Sequence, residues 1–388
     1  MSRLVCLEPD DPGEAWQPFT GARPLAELRA GGWRIRERWA GVLGIADVSI
    51  MGDHVAHFVD VDSAELLPRG PVAGPATVVR SDFAPAGPLL ELAGDVRRLS
   101  HDGATVAWIV PEGETWQEQH DRGPELAIDG LPLRGAWDLV TALEHLLAAD
   151  CTDALASGPD QVPDGCLVLG DPADIACFEA WVEPGVVFDV RKGAVVLQEG
   201  VEVRSGTRLE GPLLVGPGSL LLGGAIRHSA IGPHCRVHGE LTTSVFLGYA
   251  NKSHEGFVGH SIVGQWANLG AGTITSNLKN TYGEVRLALP GGQLATGRSN
   301  LGSLVGDHVK TAIGSLLSTG TVLGTGANIL GPQVPRWVPP FAWGGDGKTW
   351  LDADRFVTIA KRVMPRRQVE VGEGEEASLR AIHARLRR

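Results

Sequence analysis

Aliphatic residues recur at every sixth position through the second half of this chain. Leu197, Val203, Leu209, Val215 and Leu221 form one run, and Val305, Thr311, Leu317, Leu323 and Ile329, with one threonine, form another. Ile231/Val237 and Val263/Leu269 are shorter pairs on the same step. A period of six fits neither an α-helix nor a half-buried strand. It fits a hexapeptide-repeat parallel β-helix, in which each hexad supplies one short strand and one tight corner. The aliphatic side chain points into a narrow prism, and Gly, Ala or Ser beside it permits the corner. Alternating strands of an ordinary sandwich are the competing reading. The period lapses between Gly239 and Gly259 and again between Asn277 and Leu301. Insertions into such a coil emerge as loops, often on a binding face. His254 falls in the first lapse, and Lys279, Asn280 and Tyr282 in the second.

A chain of 388 residues has room for two or three domains. Its 52 Gly and 25 Pro suit a corner-rich coil. The five Cys are odd in number and irregularly spaced, so reduced thiols are expected rather than a disulfide frame or a zinc site. A net charge of −12 argues against nucleic-acid binding and requires that any anionic ligand find a locally basic pocket. No apolar run is long enough to span a bilayer and no basic-then-apolar leader is present, so a soluble cytoplasmic protein without membrane insertion is expected.

Residues 1–165 read as an α/β domain: Leu4 to Leu7 as a strand, and Trp137, Leu139, Leu143, Leu146 and Leu147 as the apolar stripe of a helix. Residues 158–165, rich in Asp, Pro and Gly, form the linker to a β-helix over 166–335. A helical tail over 336–388 follows from the spacing of Phe356, Ile359, Ala360 and Val363. Its Arg355, Lys361, Arg362, Arg366 and Arg367 read first as a solvated helix face. Residues 345–349, Gly-Asp-Gly-Lys-Thr, imitate the end of a P-loop. Ala342 stands where a Gly is required, and Pro339-Pro340 exclude the preceding strand, so they read as a turn.

Asn268-Leu-Gly-Ala-Gly-Thr-Ile-Thr-Ser-Asn277, with His254 upstream, resembles the acetyltransferase half of bifunctional N-acetylglucosamine-1-phosphate uridylyltransferase/glucosamine-1-phosphate acetyltransferases. Three further stretches resemble a divergent sugar nucleotidyltransferase branch of that family. They are Arg23-Pro-Leu-Ala-Glu-Leu-Arg-Ala-Gly31 with Ile35-Arg-Glu-Arg-Trp39, Gly248-Tyr-Ala-Asn-Lys-Ser-His254, and Ser276-Asn-Leu-Lys-Asn-Thr-Tyr-Gly283. The resemblance implies a left-handed β-helix, a homotrimer, and acetyl-coenzyme A bound between neighbouring subunits. It implies His254 as general base, Asn268 and Asn277 in the sugar and base pockets, and Ala271, Gly272 and Ser315 toward the acetyl donor. Asn251, Lys252, Lys279, Arg227 and Arg236 are the polar candidates for the amino-sugar phosphate. The pattern departs in two places, with Thr242 where the family has a Lys for the sugar phosphate and Phe257 where it has a Tyr. An Arg expected near Gly224 is absent.

That chemistry suits the residues. Acetyl transfer from a thioester to an amino sugar needs a base near neutral pH, and imidazole, with an unperturbed pKa of about 6.5, supplies one. A Gly270-Ala271-Gly272 corner lets a backbone N–H approach the tetrahedral oxygen. The His-rich stretch (His228, His234, His238, His254, His260) does not converge within one subunit at six-residue spacing, so no metal site is expected.

The first domain departs further. Where relatives open with a Gly-rich phosphate loop, this chain has Leu7-Glu-Pro-Asp-Asp-Pro-Gly13, which removes donors and adds carboxylates. Arg23 and Arg29 are the candidate nucleotide contacts, against the alternative that these arginines pair with local acids. Magnesium and a nucleoside triphosphate are expected only if that domain works. The leading expectation is an acetyl-coenzyme A-dependent N-acetyltransferase on an amino-sugar phosphate, fused to a nucleotidyltransferase-like domain. The rivals are a nucleotidyltransferase whose β-helix only trimerises it, and an inactive sugar-nucleotide sensor or scaffold.

Overall fold

The computed structural model describes residues 2–118, 123–158, 162–344 and 347–387. Gly345 and Asp346 of the P-loop-like turn, and part of the 158–165 linker, lie outside the described residues. Arg3–Leu7 is an inner strand of a seven-stranded mixed sheet. It pairs in parallel with Val48–Met51 on one side and Ala76–Arg80 on the other. Helix α1 (Ile35–Leu43) ends on Gly44 at φ 66°, a left-handed C-cap that glycine adopts without a Cβ clash. Helix α2 (Asp138–Leu155) carries the predicted stripe, with Leu139, Leu143 and Leu147 fully buried.

The second half is a parallel β-solenoid with three ladders, as the six-residue period predicts. Val195 pairs with Leu213 and Ser303 with Thr321, eighteen positions on in each case, which is three hexads. Leu197, Val215, Ile231, Phe246, Val263, Val305 and Leu323 point inward and stack down the prism. Each fully buried side chain of this kind contributes about 1.5–3 kcal/mol.

The two lapses in period have different causes. The first is not an insertion: Ile226 pairs with Leu241 and Leu241 with Val258, so the coil runs on through turns of fifteen and seventeen residues. The second does leave the coil. Ile262 pairs with Leu304, forty-two positions on, and the excess forms a hairpin of Arg286–Leu289 and Gly292–Ala295. That hairpin buries Leu287 and Leu289 in the same core as α2, while Arg286, Gln293 and Ala295 stay exposed. Gly291 donates its N–H to Glu14, and Arg298 reaches Glu144 on α2 at 2.8 Å.

One ladder is apolar on its outer side too. Val196, Leu214, Ala230, Ile262, Leu304 and Val322 join the core of the first region, so sheet, α2 and solenoid share a single interior. The corner that follows this ladder carries His234, Tyr249, Trp266, His308 and Phe341, all at φ between 53° and 60°. Left-handed backbone costs about 1 kcal/mol for residues other than glycine. Stacking of His234 on Tyr249 (5.0 Å between centroids) and of Tyr249 on Trp266 (4.3 Å) offsets it. Helices α3 (Ala353–Val363) and α4 (Glu373–Leu386) lie over this corner through Phe356, Ala360, Leu379 and Ile382. Asp352 caps α3 by accepting the Arg355 N–H at 2.8 Å.

Candidate active site

His254 sits on the corner between Asn251–Lys252 and Phe257–Gly259. Its imidazole is exposed, and among the described residues its ring nitrogens have no hydrogen-bond partner. The next corner along the coil is Gly270-Ala271-Gly272, stacked directly on it: Gly272 donates its N–H to the Glu255 carbonyl at 2.9 Å. Gly272 takes φ 69°, which keeps that corner low and free of side chain beside the imidazole. Ala271 in turn accepts the Gly314 N–H at 2.7 Å, so the corner below is fixed by the one above.

Lys252 holds the His254 corner from inside. It occupies an inward position, paired with Val237 and followed in the next turn by Leu269, where the repeat places aliphatic residues. The side chain is 2% exposed. Its ammonium donates to the carbonyls of His254 and Glu255, the latter at 2.8 Å. Burial pulls its pKa down to about 8. This ammonium is a bracket for the corner, and it is not presented to a ligand. Lys252→Met keeps the volume and removes both donors. We expect acetyl transfer to fall on the order of tenfold with the circular dichroism unchanged. A variant with the wild-type rate would show that the corner does not depend on it.

The other sequence candidates divide between faces. Asn251 donates to Asn268 at 2.7 Å across the third ladder, which stacks Trp181–Val182, Glu202–Val203, Leu220–Leu221, Arg236–Val237 and Asn251–Lys252. Asn277 instead meets His260 Nδ1 at 2.7 Å on a different corner, so one subunit does not bring Asn268 and Asn277 together. Lys279 donates to the Glu284 carbonyl within the insertion, and Arg227 pairs with Glu240. Ser315 is fully buried and donates to the Ala312 carbonyl at 2.9 Å. The missing arginine at Gly224 has a steric cause: a Cβ there would stand 2.1 Å from the Gly239 carbonyl oxygen. The Thr242 hydroxyl meets the Thr243 hydroxyl at 3.4 Å.

In the first region the loop after Arg3–Leu7 is closed by its own carboxylate. Glu8 is fully buried and accepts the N–H groups of Leu25 (2.8 Å) and Ala26 (3.0 Å), with His54 Nε2 at 3.1 Å. Arg23 is 3% exposed, paired with Asp60 and Asp307 and hydrogen-bonded to Gln265. Arg29 is 6% exposed and donates to the carbonyls of Gly32 (2.7 Å) and Leu247 (3.3 Å). Arg34 and Arg36 both pair with Glu27. Pairing with local acids describes Arg34 and Arg36; Arg23 adds the distant Asp307 to Asp60, and Arg29 donates to carbonyls instead. Neither Arg23 nor Arg29 is open to a nucleotide.

Residues 5–157 match the model of the sugar nucleotidyl transferase family. A bifunctional sugar-1-phosphate nucleotidylyltransferase/acetyltransferase of Sulfurisphaera tokodaii is 29% identical over 179 residues, 42% of this chain and 44% of the relative. A bifunctional protein GlmU of Methanococcus vannielii is 35% identical over 95 residues, 24% of this chain and 23% of the relative. The chain thus matches less than half the length of these curated relatives. No helix among the described residues is long and apolar enough to cross a membrane.

The C-terminal tail meets the third ladder at a cleft that the sequence did not announce. Its walls are Arg236, Asn251, Asn268 and Lys310 from the coil, Tyr249 and Trp266 from the aromatic corner, and Arg366 and Arg367 from the tail. Lys310, Arg366 and Arg367 were not assignable to a site from pattern alone. The one available signal was register: Lys310 follows Arg236, Asn251 and Asn268 in the same outward column.

Proposed function

We propose that the chain is an acetyl-coenzyme A-dependent N-acetyltransferase acting on an amino-sugar phosphate of the glucosamine-1-phosphate kind. In this reading a β-helix domain (166–335) is joined to a nucleotidyltransferase-type domain (1–165) and a helical tail (336–388). It would work in the cytoplasm as a homotrimer supplying nucleotide sugars. The observation that supports it most directly is the exposed His254 imidazole standing beside the Gly270-Ala271-Gly272 corner. The relatives' names add to it, because one is both a nucleotidylyltransferase and an acetyltransferase.

In the mechanism we assign, the substrate reacts as its free amine: as the nitrogen attacks the thioester carbonyl, His254 takes one proton from that nitrogen, the C–S bond breaks, and the departing coenzyme A thiolate takes the proton back from the imidazolium. The negative charge that develops on the carbonyl oxygen needs a backbone donor, and the 270–272 corner is the low-walled backbone next to the base. Asn268 and Asn277 orient sugar hydroxyls. Since they stand on different faces, a shared site requires the neighbouring protomer.

The first region does not fit a magnesium–triphosphate complex at the loop after its first strand. Glu8 already takes the two N–H groups there, and a carboxylate repels phosphate. We derive no nucleotidyl step through that loop. The test is a two-stage assay of the full chain: acetyl-coenzyme A with glucosamine-1-phosphate, then UTP and magnesium. The expected result is N-acetylated sugar phosphate with no UDP-sugar after the UTP addition. A UDP-sugar without any acetylation would replace this reading by the nucleotidyltransferase rival, and silence in both stages would favour the sensor or scaffold.

A further inference from the structure

Four cations line the cleft between the third ladder and the tail, and none of them has a carboxylate partner. Arg236, Lys310, Arg366 and Arg367 form no ion pair among the described residues. Most other arginines of this acidic chain do form one, including Arg23, Arg34, Arg36, Arg38, Arg69 and Arg80. No Asp or Glu lines the cleft, whose open volume is about 250 Å³. Asp62, the carboxylate that acts on Tyr249 and His234, is not in its wall.

Like charges are held together here by the fold. Arg367 donates through Nε to the His234 carbonyl at 3.3 Å and reaches Asn251 Oδ1 at 3.5 Å, which aims its guanidinium across the third ladder. Burial and then the positive charge of Arg236 lower its pKa. The Lys310 ammonium donates to the His308 carbonyl at 3.1 Å, and burial brings its pKa down to about 8. A chain of net charge −12 that concentrates four unpaired cations in one recess has a place for an anion. The two amides beside them, Asn251 and Asn268, offer the donor and acceptor pairs that sugar hydroxyls use.

We propose that this cleft binds a phosphorylated sugar, with Arg236, Lys310 and Arg367 on the phosphate and Asn251 and Asn268 on the hydroxyls. Gly224 has no room for a side chain, Thr242 carries no charge and its ladder neighbour Arg227 pairs with Glu240, whereas the cleft on the third ladder gathers cations without such a partner. The inference stands apart from acetyl transfer, because it concerns binding with no donor present. A sugar 1-phosphate and the diphosphate of a nucleotide sugar share this chemistry, and the test separates them.

The full chain is titrated calorimetrically, without acetyl donor, against glucosamine-1-phosphate, UDP-N-acetylglucosamine, orthophosphate and unphosphorylated glucosamine. The expected result is saturable binding of at least one phosphorylated sugar, no binding of glucosamine, and weakening as salt rises. The Arg236→Ala/Arg367→Ala double variant should weaken that binding by tenfold or more, on the scale of losing charge-assisted hydrogen bonds. Arg362→Ala, which removes a nearby exposed charge outside the cleft, should leave it unchanged. Lys310→Met tests the recess with a volume-preserving change. In the wild type, affinity should fall as pH rises through about 8, because Lys310 loses its charge there, and that fall should vanish in Lys310→Met. The other ionisable groups of the cleft wall are Arg236, Arg366, Arg367 and Tyr249, whose pKa burial raises to about 12; His308, against which Lys310 acts, has its pKa lowered by burial. Equal binding of glucosamine, equal loss in Arg362→Ala, no loss in the double variant, or no saturable heat with any phosphorylated probe would each overturn the proposal.

Discussion

Replacing His254 by alanine lowers acetyl transfer by about 10²-fold or more while the protein stays folded. The magnitude follows from losing a general base whose replacement by water forfeits both the proton acceptor and its placement. The structure explains why the fold should survive. The ring is exposed and has no hydrogen-bond partner among the described residues, and the corner is held by Lys252 through backbone carbonyls that alanine retains. Surface changes of this kind alter stability by about ±0.5 kcal/mol. The effect should therefore appear in kcat with little change in KM, as expected for an interaction made in the transition state. Unfolding midpoints of wild type and variant, measured beside the rates, separate chemistry from stability. A variant that turns over at the wild-type rate would remove His254 from the mechanism.

What the sequence disclosed about this architecture, and what it withheld, follows from where each signal arises. The coil was legible because Leu197 to Leu221 sit on a step that the prism itself imposes, with one inward aliphatic per strand. The shortened turns at Ile226–Leu241 and Leu241–Val258 broke that step while keeping the ladder, so the break looked like an insertion. Lys252 was misjudged for the same reason. Only the register with Val237 shows that a lysine has taken a core position. The corner of His254 and the small residues 270–272 was visible, because both are local in sequence. The separation of Asn268 from Asn277 was not, because nine residues along the chain is half a turn of coil. Arg366 and Arg367 were seen as charges on a tail, and only the packing of α3 against the aromatic corner brings them to Arg236 and Lys310. Arg23 was legible as a motif residue, but its partner Asp307 lies 284 positions away.

That long-range pair yields the largest stability effect we expect. Arg23 comes from the sugar nucleotidyl transferase region, and its Nε donates to Asp307 of the solenoid at 2.8 Å while the same guanidinium binds Asp60 and the Gln265 side chain. It also lies over the Phe58 ring at 5.0 Å. Burial opposes its charge, but Asp307 and Asp60 outweigh that cost and hold its pKa above the ordinary range. Asp307 is tied down from the other side by the Gln265 N–H at 2.8 Å. Removing the arginine leaves two carboxylates with side-chain exposures of 9% and 7% and no counter-charge. Arg23→Met should cost about 3–5 kcal/mol, the range for stranding a buried charge. Replacing the whole set, Arg23→Met with Asp60→Asn and Asp307→Asn, should cost less than Arg23→Met alone, because no uncompensated charge remains. Urea unfolding of the single and triple variants checks both the size and the order. If Arg23→Met unfolds within about 1 kcal/mol of wild type, or the triple variant is the weaker of the two, the network does not join the two halves of the molecule as its geometry indicates.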